Sequence, residues 1–277
     1  MHMAKVLNRL RNSKIAAGIF QTAVFMQNLF VTIPWLFRSK GLRFFSQFQK
    51  VGLNPRTVYV AFLAHFKFWL DPNLKAHRRY FVREKRGFGE DPFHSMWLSL
   101  FEEFMFSNCL EIGVYRGQTL SLWRLLQDKL GIDGTVTGCT PLTELGDLYS
   151  KYSTINYRAD IHANFEAVGA KQPLLIPFAS QSPEAKQALD DSSFDLVYVD
   201  GSHNLSDVLE DIKTSKKVLR PGGILVLDDA ALYLGYTPML GAFGGHDGPS
   251  RAAISGEVAG LNLLGTCGHN VVFQLPN

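Results

Sequence analysis

The sequence predicts a mostly parallel α/β sheet wrapped by crossover helices, with an all-helical extension in front of it. Three observations carry this reading. From Cys109 onward short apolar runs alternate with amphipathic stretches, two of those runs end in acidic residues, and the first hundred residues read as helices only. At 277 residues, one large core with an appendage is the economical organisation. The change of texture divides the chain into a helical segment, 1–100, and an α/β domain, 101–277.

In the front segment, Asn54-Pro55, Asp71-Pro72 and Asp91-Pro92 each place a capping oxygen before a proline at the first helical position. Helices over 55–70, 72–84 and 92–106 follow. Residues 15–37 carry no charge and are flanked by Arg9, Arg11, Lys14, Arg38, Lys40 and Arg43. Their length would allow a bilayer span. Lys14, Gly18, Gln21, Asn28 and Thr32 nevertheless share one helical stripe, which favours a helix packed on protein or lying in a membrane interface. No small-residue cleavage pattern follows, so a secretory leader is not expected.

Charge is divided along the chain. Residues 1–90 hold 16 Lys/Arg against 3 Asp/Glu, and the remainder holds 12 against 22. Such a basic front meets something anionic: membrane lipid, an acidic substrate or the acidic back half of its own chain. Cys109, Cys139 and Cys267 sit singly in apolar runs, which excludes a disulfide framework or a zinc cluster and points to a reducing cytoplasm.

In the α/β domain the expected strands are 109–112, 134–139, 174–179, 194–199, 223–228, 261–266 and 270–275. Helices are expected near 117–129, 145–151, 183–190, 204–219 and 250–259. A tight Gly268-His269 connection makes the last two strands a hairpin, so the sheet ends with an antiparallel strand.

Two constellations carry chemistry. Glu111-Ile-Gly113-Val-Tyr115-Arg-Gly117 closes the first strand and opens a helix, where glycines let the backbone approach a ligand and helix N-terminal amides face it. The ExGxxxG spacing points away from the GxGxxG of dinucleotide sites. The second pairs FDLVYVDGSH (194–203) with RPGGILVLDD (220–229). It sets Asp200, Asp228 and Asp229 at adjacent strand ends, the edge where open α/β sheets bind ligands. Three converging carboxylates call for a hard divalent cation, Mg²⁺ or a similar ion. His203, three residues beyond Asp200, can turn back toward that ion and accept a proton.

These residues resemble the metal-dependent O-methyltransferases of secondary metabolism, especially the macrocin and mycinamicin sugar O-methyltransferases and the aminocoumarin sugar 4-O-methyltransferase. The resemblance covers residues 109–277 and implies a Rossmann-like, seven-stranded class I methyltransferase sheet that binds S-adenosylmethionine (SAM). It implies that Glu111 engages the amino-acid end of SAM and that Gly113, Tyr115 and Gly117 form the cofactor turn. The family's metal ligands lie after the fourth strand and 28 and 29 positions later, which is the spacing of Asp200 to Asp228 and Asp229. Its general base falls on His203, with Asp200 beside it.

One departure concerns the ribose. The second strand ends in Cys139-Thr140-Pro141 rather than in an acid, leaving Thr140, Glu144 or Asp147 as contacts. Ser180-Gln181 follow the third strand, where related folds contact adenine; a plain helix cap before Pro183 is the alternative. The loop 244–250 and Lys85–Gly89 are candidate covers for the site. The implied reaction is methylation of a metal-chelated hydroxyl on a small molecule, a sugar or else a catechol or phenol. A membrane-peripheral binding protein with an inactive methyltransferase fold is the rival. Self-association and peripheral membrane contact through residues 1–40 are the expected further interactions, in a cytoplasmic protein. No Asn/Asp-Pro-Pro-Tyr/Phe motif marks the fourth strand, so nucleic acid is not an expected partner.

Overall fold

The computed structural model describes residues 54–143, 155–238 and 243–277, together with Thr22, Met26 and Phe45. From residue 54 on, three helices come first: α1 (Pro55–Phe68), α2 (Pro72–Arg83) and α3 (Asp91–Phe104). The first two start as the sequence predicts, with Asn54 Oδ1 accepting from Arg56 N–H at 2.8 Å and Asp71 Oδ1 from Asn73 N–H at 2.8 Å. The third does not. Glu90 occupies the cap without a side-chain bond, while Asp91 is the first helical residue and pairs with Arg78 at 3.0 Å. The uncharged 15–37 stretch lies outside the described residues except for Thr22 and Met26, both helical and exposed. Among the described residues no helix is long and apolar enough to cross a membrane.

The alternation that follows is β1 (Asn108–Ile112), α4 (Gln118–Leu130), β2 (Thr135–Cys139), α5 (Tyr157–Ala167), β3 (Leu174–Ile176), α6 (Pro183–Leu189), β4 (Phe194–Val199), α7 (Leu205–Val218) and β5 (Leu219–Leu227). A short α8 (Asp247–Ala252), a 3-10 turn (Gly256–Val258), β6 (Asn262–Cys267) and β7 (Asn270–Gln274) complete it. Strand β3 is shorter than its apolar run, and β5 begins earlier. The helix expected over 250–259 is split, because the chain turns after Ala252. The expected 145–151 helix lies outside the described residues. Helix α5 escaped the sequence reading, although Asn156 caps it through Ala159 N–H at 3.0 Å and Tyr157, Ile161, Asn164 and Phe165 form its buried face.

The seven strands are ordered β3-β2-β1-β4-β5-β7-β6. Strands β1 to β5 pair in parallel, and β7 runs antiparallel to both β5 and β6. The reversed strand is thus not at the end of the sheet: β7 inserts beside β5, where Leu227 faces Val271, and β6 forms the edge. That insertion carries the hairpin turn, with Gly268 at φ +60°, to the end of β5.

One hydrophobic core joins sheet and front helices. Helix α3, which runs through position 100, packs Trp97 edge-on against Trp123 (centroids 5.0 Å apart) and Tyr198 (5.2 Å). Salt bridges tie the basic front to the acidic remainder through Arg78 and Asp91 at 3.0 Å and Arg86 and Asp160 at 3.3 Å, while Lys129 reaches back to Asp71 at 2.8 Å. Part of the charge division is therefore answered within the chain.

Candidate active site

The order of strands reverses between β1 and β4, and that is where a crevice opens above the carboxyl edge of an α/β sheet. Here it is a cavity of about 700 Å³, within the size range of small-molecule and cofactor sites. Glu111, Gly113, Tyr115, Gly117, Thr140, Ser180, Asp200, His203, Asp228 and Asp229 all line it, although they come from five strand ends. Glu144 and Asp147 lie outside the described residues.

Backbone hydrogen bonds hold those strand ends together. Gly113 N–H donates to Cys139 O (2.9 Å), Asp200 N–H to Ile112 O (2.8 Å) and Asp228 N–H to Val199 O (3.0 Å). Gly113 sits at φ +94°, and a Cβ there would lie 2.2 Å from the Asp200 carbonyl oxygen and 2.3 Å from Gly201 Cα. Only glycine allows that approach. Gly117, at φ +77°, caps α4, and it lines the cavity with Gln118 and Thr119. Glu111 is buried, with one carboxylate oxygen unpartnered, and burial pushes its carboxyl up to about 8 despite hydrogen bonds from Thr119 and the Leu120 backbone.

The β4–β5 end concentrates charge. Burial, then repulsion from Asp228 and Asp229, raises Asp200 well above the usual carboxylate range; burial and Asp229 bring Asp228 to about 6. Asp229 occupies the left-handed region at φ +53°, a strained backbone for a side chain of its kind and one found at functional sites. Its Oδ2 lies 3.1 Å from His203 Nε2 and 3.6 Å from His246 Nε2. On the other side His269 Nε2 is 3.3 Å from Asp228 Oδ1 and 3.8 Å from Asp229 Oδ1. Asp228, Asp229 and His269 on one side, and His203, Asp229 and His246 on the other, present ligand atoms close enough to share a divalent cation. Asp200 belongs to neither group but hydrogen-bonds Asp228, and the mutual repulsion of the carboxylates is the cost that a cation removes.

His246 and His269 were not singled out from the sequence. His269 is the hairpin residue beside Gly268, and only the insertion of β7 next to β5 brings it to Asp228. The signal for His246 lay in the glycines around it. A Cβ on Gly245 would fall 2.5 Å from Asp229 O, and one on Gly248 would fall 2.0 Å from His203 O. The loop is seated on the site, with His246 N–H donating to Asp229 O at 2.8 Å and the Ser250 hydroxyl to the same oxygen at 3.1 Å. The front also contributes: Arg86, Phe88, Glu90, Phe93, His94 and Trp97 line the cavity, so the Lys85–Gly89 segment does border it.

The β2–β3 end is different. Thr140 donates its hydroxyl to Val114 O (3.3 Å) and its amide to Ile176 O (3.1 Å). Ser180 and Gln181 hydrogen-bond through their side chains to Asp211, a buried carboxyl on α7 that burial raises to about 7. Ser180 is not the cap of α6. That role belongs to Ser182, which accepts from Ala185 N–H at 3.1 Å.

The strand order, the glycine turn after β1 and the cavity across β1, β4 and β5 decide the architecture. It is the fold of a class I methyltransferase. Residues 110–230 match a family described as a methyltransferase domain. The chain is similar to a protein from Klebsiella pneumoniae described as an O-methyltransferase, at 15% identity over 76% of this chain and 92% of that one, with a TM-score of 0.52. It is also similar to cofactor-bound Rv0187 from MTB, at 18% identity over 81% and 99% of the two chains and a TM-score of 0.51. Against the SAH-bound Podospora anserina methyltransferase PaMTH1 the identity is 19% and the TM-score 0.42; the match takes in 58% of this chain and 63% of that one. No curated protein matches the chain. The α/β domain thus holds all ten predicted site residues in one cavity, and the described front helices add walls to it.

Proposed function

We propose that the chain is a SAM-dependent O-methyltransferase acting on a hydroxyl of a small molecule, a sugar-type hydroxyl with a neighbouring oxygen. The observation that carries this is the joint placement of the Gly113 turn with Asp200, Asp228, Asp229 and His203 in one cavity. The turn and Glu111 are the fitting contacts for the amino-acid end of SAM, Thr140 for its ribose, and Ser180 and Gln181 for its base. Asp200, Asp228 and Asp229 would hold a divalent cation, which when bound lowers the pKa of a coordinated hydroxyl and fixes its oxygen.

His203 is the proton acceptor in this reading. With Nε2–H donating to Asp229 Oδ2 at 3.1 Å, the basic atom of the neutral ring is Nδ1, and imidazole is the side chain type most often used for such proton transfer. Asp229 orients the ring. Methyl transfer then forms the O–CH₃ bond as the sulfonium S–CH₃ bond breaks, and the proton goes to His203. The test measures SAM binding by calorimetry and methyl transfer to diol acceptors, with and without EDTA. SAM binding with transfer abolished by EDTA is the expected result, and full activity in EDTA would remove the cation from the reading.

A catechol or phenol acceptor is the second reading. It is favoured by the aromatic walls beside the acidic end, where Phe93 and Phe243 flank His269 with centroids 4.8 and 5.6 Å away.

A further inference from the structure

We propose that the cation site is completed by His269 and selects a transition-metal dication of the Mn²⁺, Co²⁺ or Zn²⁺ kind over Mg²⁺. The inference rests on the metal-assisted reading above and concerns a ligand that the aspartate spacing does not indicate.

The first argument is geometric. Donor atoms about 2.0–2.2 Å from a shared ion lie roughly 3–4 Å from one another. His269 Nε2 stands 3.3 Å from Asp228 Oδ1 and 3.8 Å from Asp229 Oδ1, and the three residues present ligand atoms that all fall within 4.8 Å of each other. The imidazole is also locked in place. His269 is only 7% exposed, Phe93 and Phe243 meet its ring, and its carbonyl accepts from Ala230 N–H at 2.8 Å. Gly268, before it, is wedged so that a Cβ would lie 3.0 Å from the Tyr59 ring and 3.1 Å from that of Phe93. The hairpin therefore presents Nε2 to the carboxylates without freedom to withdraw.

The second argument is chemical. Mg²⁺ prefers all-oxygen shells and gives up its water reluctantly. An imidazole donor suits the later first-row dications, whose affinity for nitrogen rises along the series. A buried ring held between two phenylalanines supplies that nitrogen at a fixed position. Asp228 Oδ1, the oxygen 3.3 Å from His269 Nε2, is itself buried without a hydrogen-bond partner.

The rival for His269 is a protonated imidazolium that neutralises Asp228 and Asp229 without any ion. The experiment strips the full-length protein of metal and titrates it with Mn²⁺, following electron paramagnetic resonance and its ¹⁴N modulation, with Mg²⁺ as competitor. Wild-type protein should bind Mn²⁺ with a histidine ¹⁴N signal, and a hundredfold excess of Mg²⁺ should leave most of it bound. In His269→Ala the signal should weaken or vanish and Mn²⁺ affinity fall by about 10- to 100-fold, the scale seen when the support of a metal site is lost, while Mg²⁺ affinity stays within about twofold. His269→Gln, with SAM calorimetry as a check of folding, covers a misfolded alanine variant.

Displacement of Mn²⁺ by equimolar Mg²⁺ in wild-type protein, a measurement that needs no variant, overturns the inference while leaving the methyltransferase reading intact. So does an unchanged ¹⁴N signal in a folded His269 variant, since His203 or His246 would then be its source. SAM binding without any divalent-ion binding overturns both this inference and the metal half of the proposed function and favours the imidazolium. Absence of SAM binding overturns the methyltransferase reading itself.

Discussion

The two ends of the cavity are built on opposite electrostatic plans. At the β4–β5 end, Asp200, Asp228 and Asp229 crowd together with three imidazoles, and burial drives Asp200 and Asp228 upward. At the β2–β3 end the lining among the described residues is Cys139, Thr140, Pro141, Thr143, Ala179, Ser180 and Gln181, with no charged side chain among them, and the buried acid Asp211 stands behind Ser180 and Gln181. Burying like charges costs stability, so such a cluster survives where a cation or a reacting proton makes use of it. The neutral end has the character of a recognition surface. In the proposed reaction, chemistry and recognition would thus be separated along the sheet edge, with the Gly113 turn between them.

Placing a side chain at the boundary should do the greatest damage. Gly113→Leu would drive its Cβ into the Asp200 carbonyl and Gly201, and calorimetry should find SAM binding abolished; retained affinity would break the division at its centre. At the charged end, His203→Ala should lower kcat by about 10²- to 10⁴-fold, the usual range for a general base, with SAM affinity unchanged. If SAM affinity falls as far as kcat, the two ends are not functionally separate. At the neutral end, Asp211→Asn should weaken SAM binding by about three- to tenfold, the size of one modest positioning hydrogen bond, and leave kcat at saturating SAM nearly unaltered.

A smaller effect appears in the pH dependence of stability. Glu111 rises from 4.5 to about 8 on folding and Asp211 from 3.8 to about 7. The folded state therefore binds more protons than the unfolded chain across those intervals, and its stability declines as pH rises through them. Buried His77 and His65 act the other way: burial lowers them from 6.5 to about 3 and about 4, so the stability they contribute is lost as pH falls below about 6.5. Between about pH 4.5 and 6.5 the two pairs oppose one another, and above about 6.5 only the carboxyls act, so metal-free protein should show a Tm that falls from about pH 6.5 toward pH 8. Calorimetric scans with a Tm that climbs steadily to pH 8 would contradict the buried state of Glu111.

The legible parts of the molecule were those that local chemistry specifies. Proline after Asn54 and Asp71 starts a helix wherever it occurs, and an apolar run ending in acid places that acid at a strand's carboxyl end. Asp91 misled because its neighbour Glu90 took the capping position and Arg78 took its carboxylate. Helix α5 was hidden by the polarity of its exposed face.

By itself the sequence determined the α/β alternation, the glycine turn at Gly113 and the strand-end positions of Asp200, Asp228 and Asp229, because each depends on residues near in the chain. The tertiary structure decided which strand lies beside which. By inserting β7 next to β5 it carried His269 to Asp228, and by seating Gly245 and Gly248 on the backbone of Asp229 and His203 it brought His246 to the same carboxylate. No local pattern encodes those meetings, since sheet order and close backbone approach arise from packing between segments far apart in the chain.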